Sequence, residues 1–175
     1  ACETACPTGA LAAAAPDILD LGKCLFCPEC AAACPRQAIS YAANYQLAAR
    51  ERADLLVSRE REAIEIKRAA LDDALRRLLG RSLKLRQVSA GGCNACEADS
   101  NVLTTVGWDL SRFGIQFVAS PRHADGLLVT GPVSQNMALA LKKTYDALSE
   151  PRLVIAVGAC AISGGVFAGR PEVGN

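Results

Sequence analysis

The chain has 175 residues, a formal net charge of +1 and 51% apolar residues, enough for one ordinary packed domain or two small ones. Near-neutral charge and only 5% aromatic residues argue against nucleic acid or an anionic membrane surface as partner. The longest charge-free stretch, Leu153 to Gly169, falls short of the roughly 20 residues a membrane helix needs and is broken by glycines, so no membrane span is expected. No signal peptide is visible. The first residues already lie inside a motif, so a natural start upstream of residue 1 is expected.

Nine cysteines carry the chemistry. Cys24-x2-Cys27-x2-Cys30-x3-Cys34-Pro35 has the order used to wrap a cubane iron–sulfur cluster. Short gaps let consecutive thiolates curl around one cluster, and the longer last gap swings the fourth towards another. Disulfides between such close neighbours would be strained, whereas soft thiolate sulfur suits iron–sulfur centres. Zinc is the rival, because CxxC knuckles serve both metals. The third close cysteine and the closing Cys-Pro favour iron–sulfur. The motif also has an echo: Cys2-Glu-Thr-Ala-Cys6-Pro aligns with Cys30-Ala-Ala-Ala-Cys34-Pro.

On these motifs, residues 1 to about 40 resemble a bacterial two-cluster ferredoxin whose start is missing. The resemblance implies that Cys24, Cys27 and Cys30, with Cys6, hold one complete 4Fe–4S cluster. It makes Cys2 and Cys34 half of a second, partial set, whose other two ligands are expected before residue 1. A terminal free thiol is the plainer reading of Cys2 alone.

Residues 41–57 have no clear period and are expected to form an extended segment dressing the cysteine-rich part. From Glu60 to Leu79, Ile64, Leu71, Leu75, Leu78 and Leu79 recur at helical spacing, and Gly80 stands where a C-terminal stop belongs. This predicts an amphipathic helix with a solvated charged face. Interleaved acids weigh against a nucleic-acid helix. Such a helix would act as a semi-rigid spacer.

Beyond Arg81, short apolar runs alternate with helical stretches. Leu83–Val88, Ile115–Ala119, Gly126–Thr130 and Leu153–Val157 read as strands, and Asn136–Leu148 as the helix between the last two. The alternation predicts a parallel sheet with helices on both faces and sites at the carboxyl ends of its strands. The remaining cysteines fall there, in Gly91-Gly92-Cys93-Asn94-Ala95-Cys96 and Gly158-Ala159-Cys160-Ala161-Ile162-Ser163-Gly164-Gly165. A thioredoxin-like redox CxxC fits Cys93 and Cys96 by spacing alone.

The wider residues point elsewhere. GGCNACEAD, DLSRFGIQFVASPRHADGLLVTGPVSQNM and PRLVIAVGACAISGGVFAG make residues 81–169 resemble the small subunit of membrane-bound, energy-conserving (group 4) NiFe hydrogenases. They are similar also to the related 20 kDa cluster-bearing subunit of NADH–quinone oxidoreductase. The resemblance implies that Cys93, Cys96 and Cys160 are three of the four ligands of a proximal 4Fe–4S cluster, the fourth lying beyond Asn175. Every cysteine then has a cluster, and the chain reads as a fragment lacking both ends.

Separation of Cys93 and Cys96 by two residues matches the hydrogenase branch, since the respiratory subunit has adjacent cysteines there. Ala95 departs from the glycine common in that branch, while Asp99 takes its acidic place. A carboxylate there could serve a proton path, but a helix-start role is the plainer reading of Glu97 or Asp99. The single histidine, His123, reads as a loop hydrogen-bond partner, and Arg122 as fixed positive charge. Trp108 and Tyr145 are assigned to packing, and Pro132 to a turn.

The expected architecture is an α+β ferredoxin-like domain over residues 1–50, a linker with an amphipathic helix over 51–82, and a flavodoxin-like α/β parallel-sheet domain over 83–175. The expected function is electron transfer in a membrane-associated NiFe-hydrogenase-type complex, with no catalytic residue in this chain. Implied partners are a catalytic large subunit, membrane subunits of the complex and a soluble electron donor. The implied location is the cytoplasmic face of the cell membrane. Alternatives are a nickel-free quinone-oxidoreductase-type complex and a zinc-stabilised binding module.

Overall fold

The computed structural model describes residues 2–12, 15–45, 47–58, 77, 79–80 and 82–174. The chain divides into two units, Ala1–Lys67 and Arg68–Asn175.

In the first unit, α1 (Cys2–Ala5), β1 (Leu11–Ala12), β2 (Ala15–Asp20), α2 (Glu29–Ala32) and β3 (Leu56–Ser58) follow one another, with a 3-10 turn at Arg52–Leu55 before β3. The strands form an antiparallel sheet in the order β1-β2-β3, with Leu11 opposite Leu19 and Leu19 opposite Val57. Thus the segment read as merely extended supplies a sheet strand. Its anchor is Arg52, which donates to the Asp20 carboxylate at 2.6 Å. The repeat seen in the sequence recurs in the backbone. One-turn helices α1 and α2 lie in contact, each repeat has a Cys-Pro step, and the paired positions Gly9 and Gln37 both adopt left-handed φ, 63° and 47°.

The amphipathic helix expected over Glu60–Leu79 falls largely outside the described residues. Arg77 and Leu79 are helical, and Gly80 follows them with φ 62°. That is the left-handed turn a helix-terminating glycine makes at no steric cost.

The second unit contains β4 (Leu83–Ser89), α3 (Ala95–Val102), β5 (Ile115–Phe117), β6 (Gly126–Thr130), α4 (Gln135–Asp146), β7 (Leu153–Val157) and α5 (Ala159–Ser163). Its four strands are all parallel, in the order β5-β4-β6-β7. The α/β expectation holds, and strands β6 and β7 have the expected limits. Helix α4 starts one residue early and ends two early, and β5 is shorter than expected. Central β6 is buried along its whole length, which is why Gly-Leu-Leu-Val-Thr lacks apolar–polar alternation.

One face of the sheet packs against α4. Val88, Leu127 and Val129 cluster with Leu148 and are covered by Met137, Leu141 and Tyr145, three residues spaced by four along the helix. Tyr145 therefore packs as expected. Trp108 does not: it is 61% exposed, because it sits in the turn after α3 rather than on an element facing the sheet. Asp125 couples β6 to β4 by accepting from Lys84 N and donating its own N–H to Lys84 O, both at 2.7 Å. Among the described residues, no helix is long and apolar enough to cross a membrane.

Candidate metal centres

Strand β4 connects onward to β5 on one side and β6 to β7 on the other, so the connections part between β4 and β6, which makes that place the switch point of the sheet. Open parallel sheets bind ligands at such switch points, beyond the carboxyl ends of the strands. The loop after β4 carries Cys93, and Cys96 stands in the first turn of α3. Cys160, on α5 after β7, reaches the same neighbourhood. The thiol of Cys96 is pushed up by burial and then by the negative charges of Glu97, Cys160, Cys93 and Asp99. Cys160 is likewise pushed up, by burial and by Cys93. Thiolates gathered at one place repel as like charges, and a bound cationic metal centre relieves that repulsion.

Two glycines create the space beside these sulfurs. At Gly158, with φ 87°, a Cβ would stand 2.5 Å from Cys96 Sγ; at Gly165 a Cβ would stand 2.8 Å from Cys160 Sγ. Any side chain at either position would fill the cradle around the thiol.

In the first unit the cysteines form two neighbourhoods. Cys24 is pushed up by burial, and the charges of Cys30, Cys6 and Cys27 act in the same direction. These are the four residues assigned to the complete ligand set. Cys2 and Cys34 form the other neighbourhood. Burial raises the Cys2 thiol, which also donates to Cys34, and backbone amides of Ala38 and Arg36 hold Cys34 below the ordinary thiol value. Burial pushes Cys6 up, but the amides of Leu11, Thr8 and Ala10 outweigh it and leave the thiol low.

Backbone N–H groups aim at these sulfurs. Ala10 N donates to Cys6 Sγ at 3.2 Å, Phe26 N to Cys24 Sγ at 3.3 Å and Ala38 N to Cys34 Sγ at 3.4 Å. The first and last are equivalent bonds of the two repeats, each from the residue four past the cysteine. Amide donors to sulfur stabilise thiolate and tune an iron–sulfur centre. All nine cysteines are free. Among the described residues, no three His, Cys, Asp or Glu side chains converge tightly enough to hold a single metal ion. The donor set of clustered thiols, amide donors and glycine cradles fits a multi-iron cluster in its chemistry.

Three features were not legible in the residues alone. Glu97, read as a helix-start acid, is indeed in the first turn of α3, but it is only 7% exposed and binds hydroxyls of the sheet. Ser89 Oγ and Thr130 Oγ1 each donate to Glu97 Oε1 at 2.6 Å, and these bonds hold its carboxyl below the usual range despite burial. The available signal was a hydroxyl residue ending each of two strands, Ser89 of β4 and Thr130 of β6. Tyr41 donates to Cys27 O and lies 4.0 Å from Cys30 Sγ; burial and Cys30 push its hydroxyl up to about 12. A cleft of ≈ 420 Å³ opens beside Glu97, with Arg86, Gln87, Asn101 and Phe117 in its walls. His123 is exposed in the 3-10 turn Pro121–His123, and the carbonyl of Arg122 accepts from Ser149 Oγ.

The chain is similar to subunits of hydrogenase and NADH-quinone oxidoreductase complexes. Residues 93–175 match the model of the family described as NADH ubiquinone oxidoreductase, 20 kDa subunit. Over 95 residues the chain is 42% identical to the "Probable membrane-bound hydrogenase subunit mbhJ" of Pyrococcus furiosus, covering 54% of this chain and 57% of that protein. It is 38% identical over 99 residues to formate hydrogenlyase subunit 7 of Escherichia coli, covering 57% of this chain and 39% of the relative. With a subunit of the NADH-quinone oxidoreductase of Desulfovibrio desulfuricans it shares 46% identity over 76 residues, covering 43% and 42% of the two chains. The chain thus spans about half the length of these curated relatives.

Proposed function

We propose that this chain is an iron–sulfur electron-transfer subunit of a membrane-associated complex of the NiFe-hydrogenase type, peripheral on the cytoplasmic face. The carrying observation is the meeting of Cys93, Cys96 and Cys160 at the carboxyl edge of a parallel sheet, with Gly158 and Gly165 keeping side chains away from two of the sulfurs. These three cysteines would hold a proximal 4Fe–4S cluster with a further ligand outside residues 1–175. Cys6, Cys24, Cys27 and Cys30 would hold a second, and Cys2 and Cys34 would share in a third, making the first unit a ferredoxin-like domain over about residues 1–50. A bound cluster of this kind accepts and releases single electrons.

The chain's own residues supply thiolate ligands, amide hydrogen bonds and burial, the means by which a protein sets a cluster's potential. The catalytic centre would lie in a partner large subunit, with membrane subunits completing the complex and a soluble donor feeding the first unit. Anaerobic reconstitution tests the reading. Iron and sulfide in equal amounts, with a brown chromophore, are expected; Cys24→Ser and Cys93→Ser should each remove a different part of it. A colourless protein holding zinc and no iron would overturn the proposal.

A second reading, the equivalent component of a nickel-free quinone oxidoreductase, is favoured by the family description and by the likeness to the Desulfovibrio desulfuricans relative. The two-residue gap between Cys93 and Cys96 favours the hydrogenase reading. Nickel analysis of the complex isolated from cells separates them, nickel being expected in the hydrogenase type alone.

A further inference from the structure

Ser89 and Thr130 are register partners on adjacent parallel strands, so their side chains leave the same face of the sheet at its carboxyl edge. Glu97 reaches both with one oxygen. The bond to Ser89 closes the chain from the end of β4, through Gly91, Gly92 and Cys93, to the first turn of α3. The bond to Thr130, which is fully buried, ties that closed loop to the neighbouring strand. Backbone packing tightens the same place. A Cβ on Gly92 would stand 2.9 Å from Glu97 Oε1, and a Cβ on Gly131, just after Thr130, would stand 2.5 Å from Gly92 N. Asn94, with left-handed φ of 71°, makes no side-chain cap bond at the start of α3, so its backbone carbonyl, which accepts from Ala98 N at 3.0 Å, is what it gives to the helix start.

We propose that Glu97 is a positioning residue for the Cys93–Cys96 ligand loop: its carboxylate clamps the loop across the ends of β4 and β6, and so sets where both thiolates stand. A charged side chain is buried only when hydrogen-bonded, and short charge-assisted bonds from two hydroxyls are stiff and directional. A helix-start acid serving the helix dipole would face solvent, and it would need neither hydroxyl. The inference rests on the cluster reading for its functional meaning, while the clamp can be observed by itself.

The test uses the anaerobically purified protein and four sequences: wild type, Glu97→Gln, Glu97→Ala, and the double variant Ser89→Ala/Thr130→Val. Two measurements are made, amide exchange across residues 90–97 and the rate of iron loss to a chelator, with exchange in β6 as control for folding. Gln keeps an acceptor for both hydroxyls but removes the charge; the double variant keeps the charge but removes both donors. A clamp predicts near-wild-type behaviour for Glu97→Gln. It predicts at least tenfold faster loop exchange and iron loss for Glu97→Ala and the double variant, with β6 still protected. Equal exchange in wild type and Glu97→Ala would overturn the clamp, as would a Gln variant as loose as Ala beside a double variant as firm as wild type, which would indicate charge alone. Wild type without iron at this site would overturn the cluster reading instead, and the exchange comparison would still decide the clamp.

Discussion

The two units solve the problem of holding cysteines in opposite ways. In the first, the buried apolar side chains among the described residues are Ala10 and Leu55, while six cysteines stand on turns and one-turn helices. In the second, Leu85, Val88, Ala90, Ala124, Leu127, Leu128, Val129 and Leu148 are buried, and three cysteines sit beyond its strand ends, Cys93 on a loop and Cys96 and Cys160 in helices. A small domain with so little apolar burial needs another source of stability, and on the proposed function its cysteines would supply one by metal ligation. The parallel sheet has a core independent of its thiols. On the proposed function, metal ligands would be the fold's cement in one unit and its cargo in the other.

The sharpest way to break this comparison is to remove metal. Chelation under anaerobic conditions should abolish amide protection in α1, β2 and α2 while β6 and β7 stay protected, since structural metal sites can supply on the order of 10 kcal/mol of folding free energy. Hydrogen exchange read separately over the two units is the measurement. Equal loss, or equal persistence, would end the distinction.

Core truncation should do the reverse. Leu127→Ala removes one of the largest fully buried side chains, 1% exposed, at the centre of the sheet. It should destabilise the second unit by about 2–5 kcal/mol in denaturant titration and leave the iron of the first unit in place.

A smaller, local effect is expected at the cradle. Gly158→Ala puts a methyl group against Cys96 Sγ and a side chain at left-handed φ. A cost of about 1–3 kcal/mol is expected. Iron retention should fall at the Cys93–Cys96–Cys160 site and not at the Cys24 site, as read by iron content in variants carrying one site each.

The smallest effect is electrostatic. Burial pushes the Asp20 carboxyl up, but Arg52, the Gly22 amide and Lys23 outweigh it and hold it below the ordinary carboxylate value. A carboxyl depressed in the folded state stabilises above its unfolded pKa of about 4, and that contribution fades as pH falls through the folded value. With Arg52 41% exposed, about 1 kcal/mol or less is at stake. Asp20→Asn should therefore flatten the acid limb of the first unit's stability curve without altering its stability slope near neutrality.

Much of this was legible from residue order. Cysteine spacing grouped Cys24, Cys27, Cys30 and Cys34, and paired Cys93 with Cys96, because a few residues fix the reach of a ligand loop; joining Cys6 to the first set and Cys160 to the second took the family resemblance. The run Gly126–Thr130 announced a buried parallel strand, because covering both faces leaves no room for polar alternation; Leu153–Val157 has the same apolar pattern, but its place at the end of the sheet order leaves Val154 and Ile155 exposed. The repeat of the first unit was visible because equivalent cysteines need equivalent turns, down to the left-handed pair Gly9 and Gln37.

Long-range pairing was not legible. Nothing in Leu56–Ser58 says that it lies beside β2, because a three-residue strand has too little pattern to name its neighbour. Trp108 looks like a core residue by chemistry, and only the path of the chain after α3 leaves it in solvent. Glu97 is the clearest case. By sequence it is an acid in a first helical turn, where the macrodipole favours negative charge. Only the parallel register of β4 and β6, which brings Ser89 beside Thr130 from far along the chain, turns it into a buried clamp beneath the cysteine loop. Local chemistry travels with the residues; a hydrogen bond between distant strands exists only once the sheet has chosen its order.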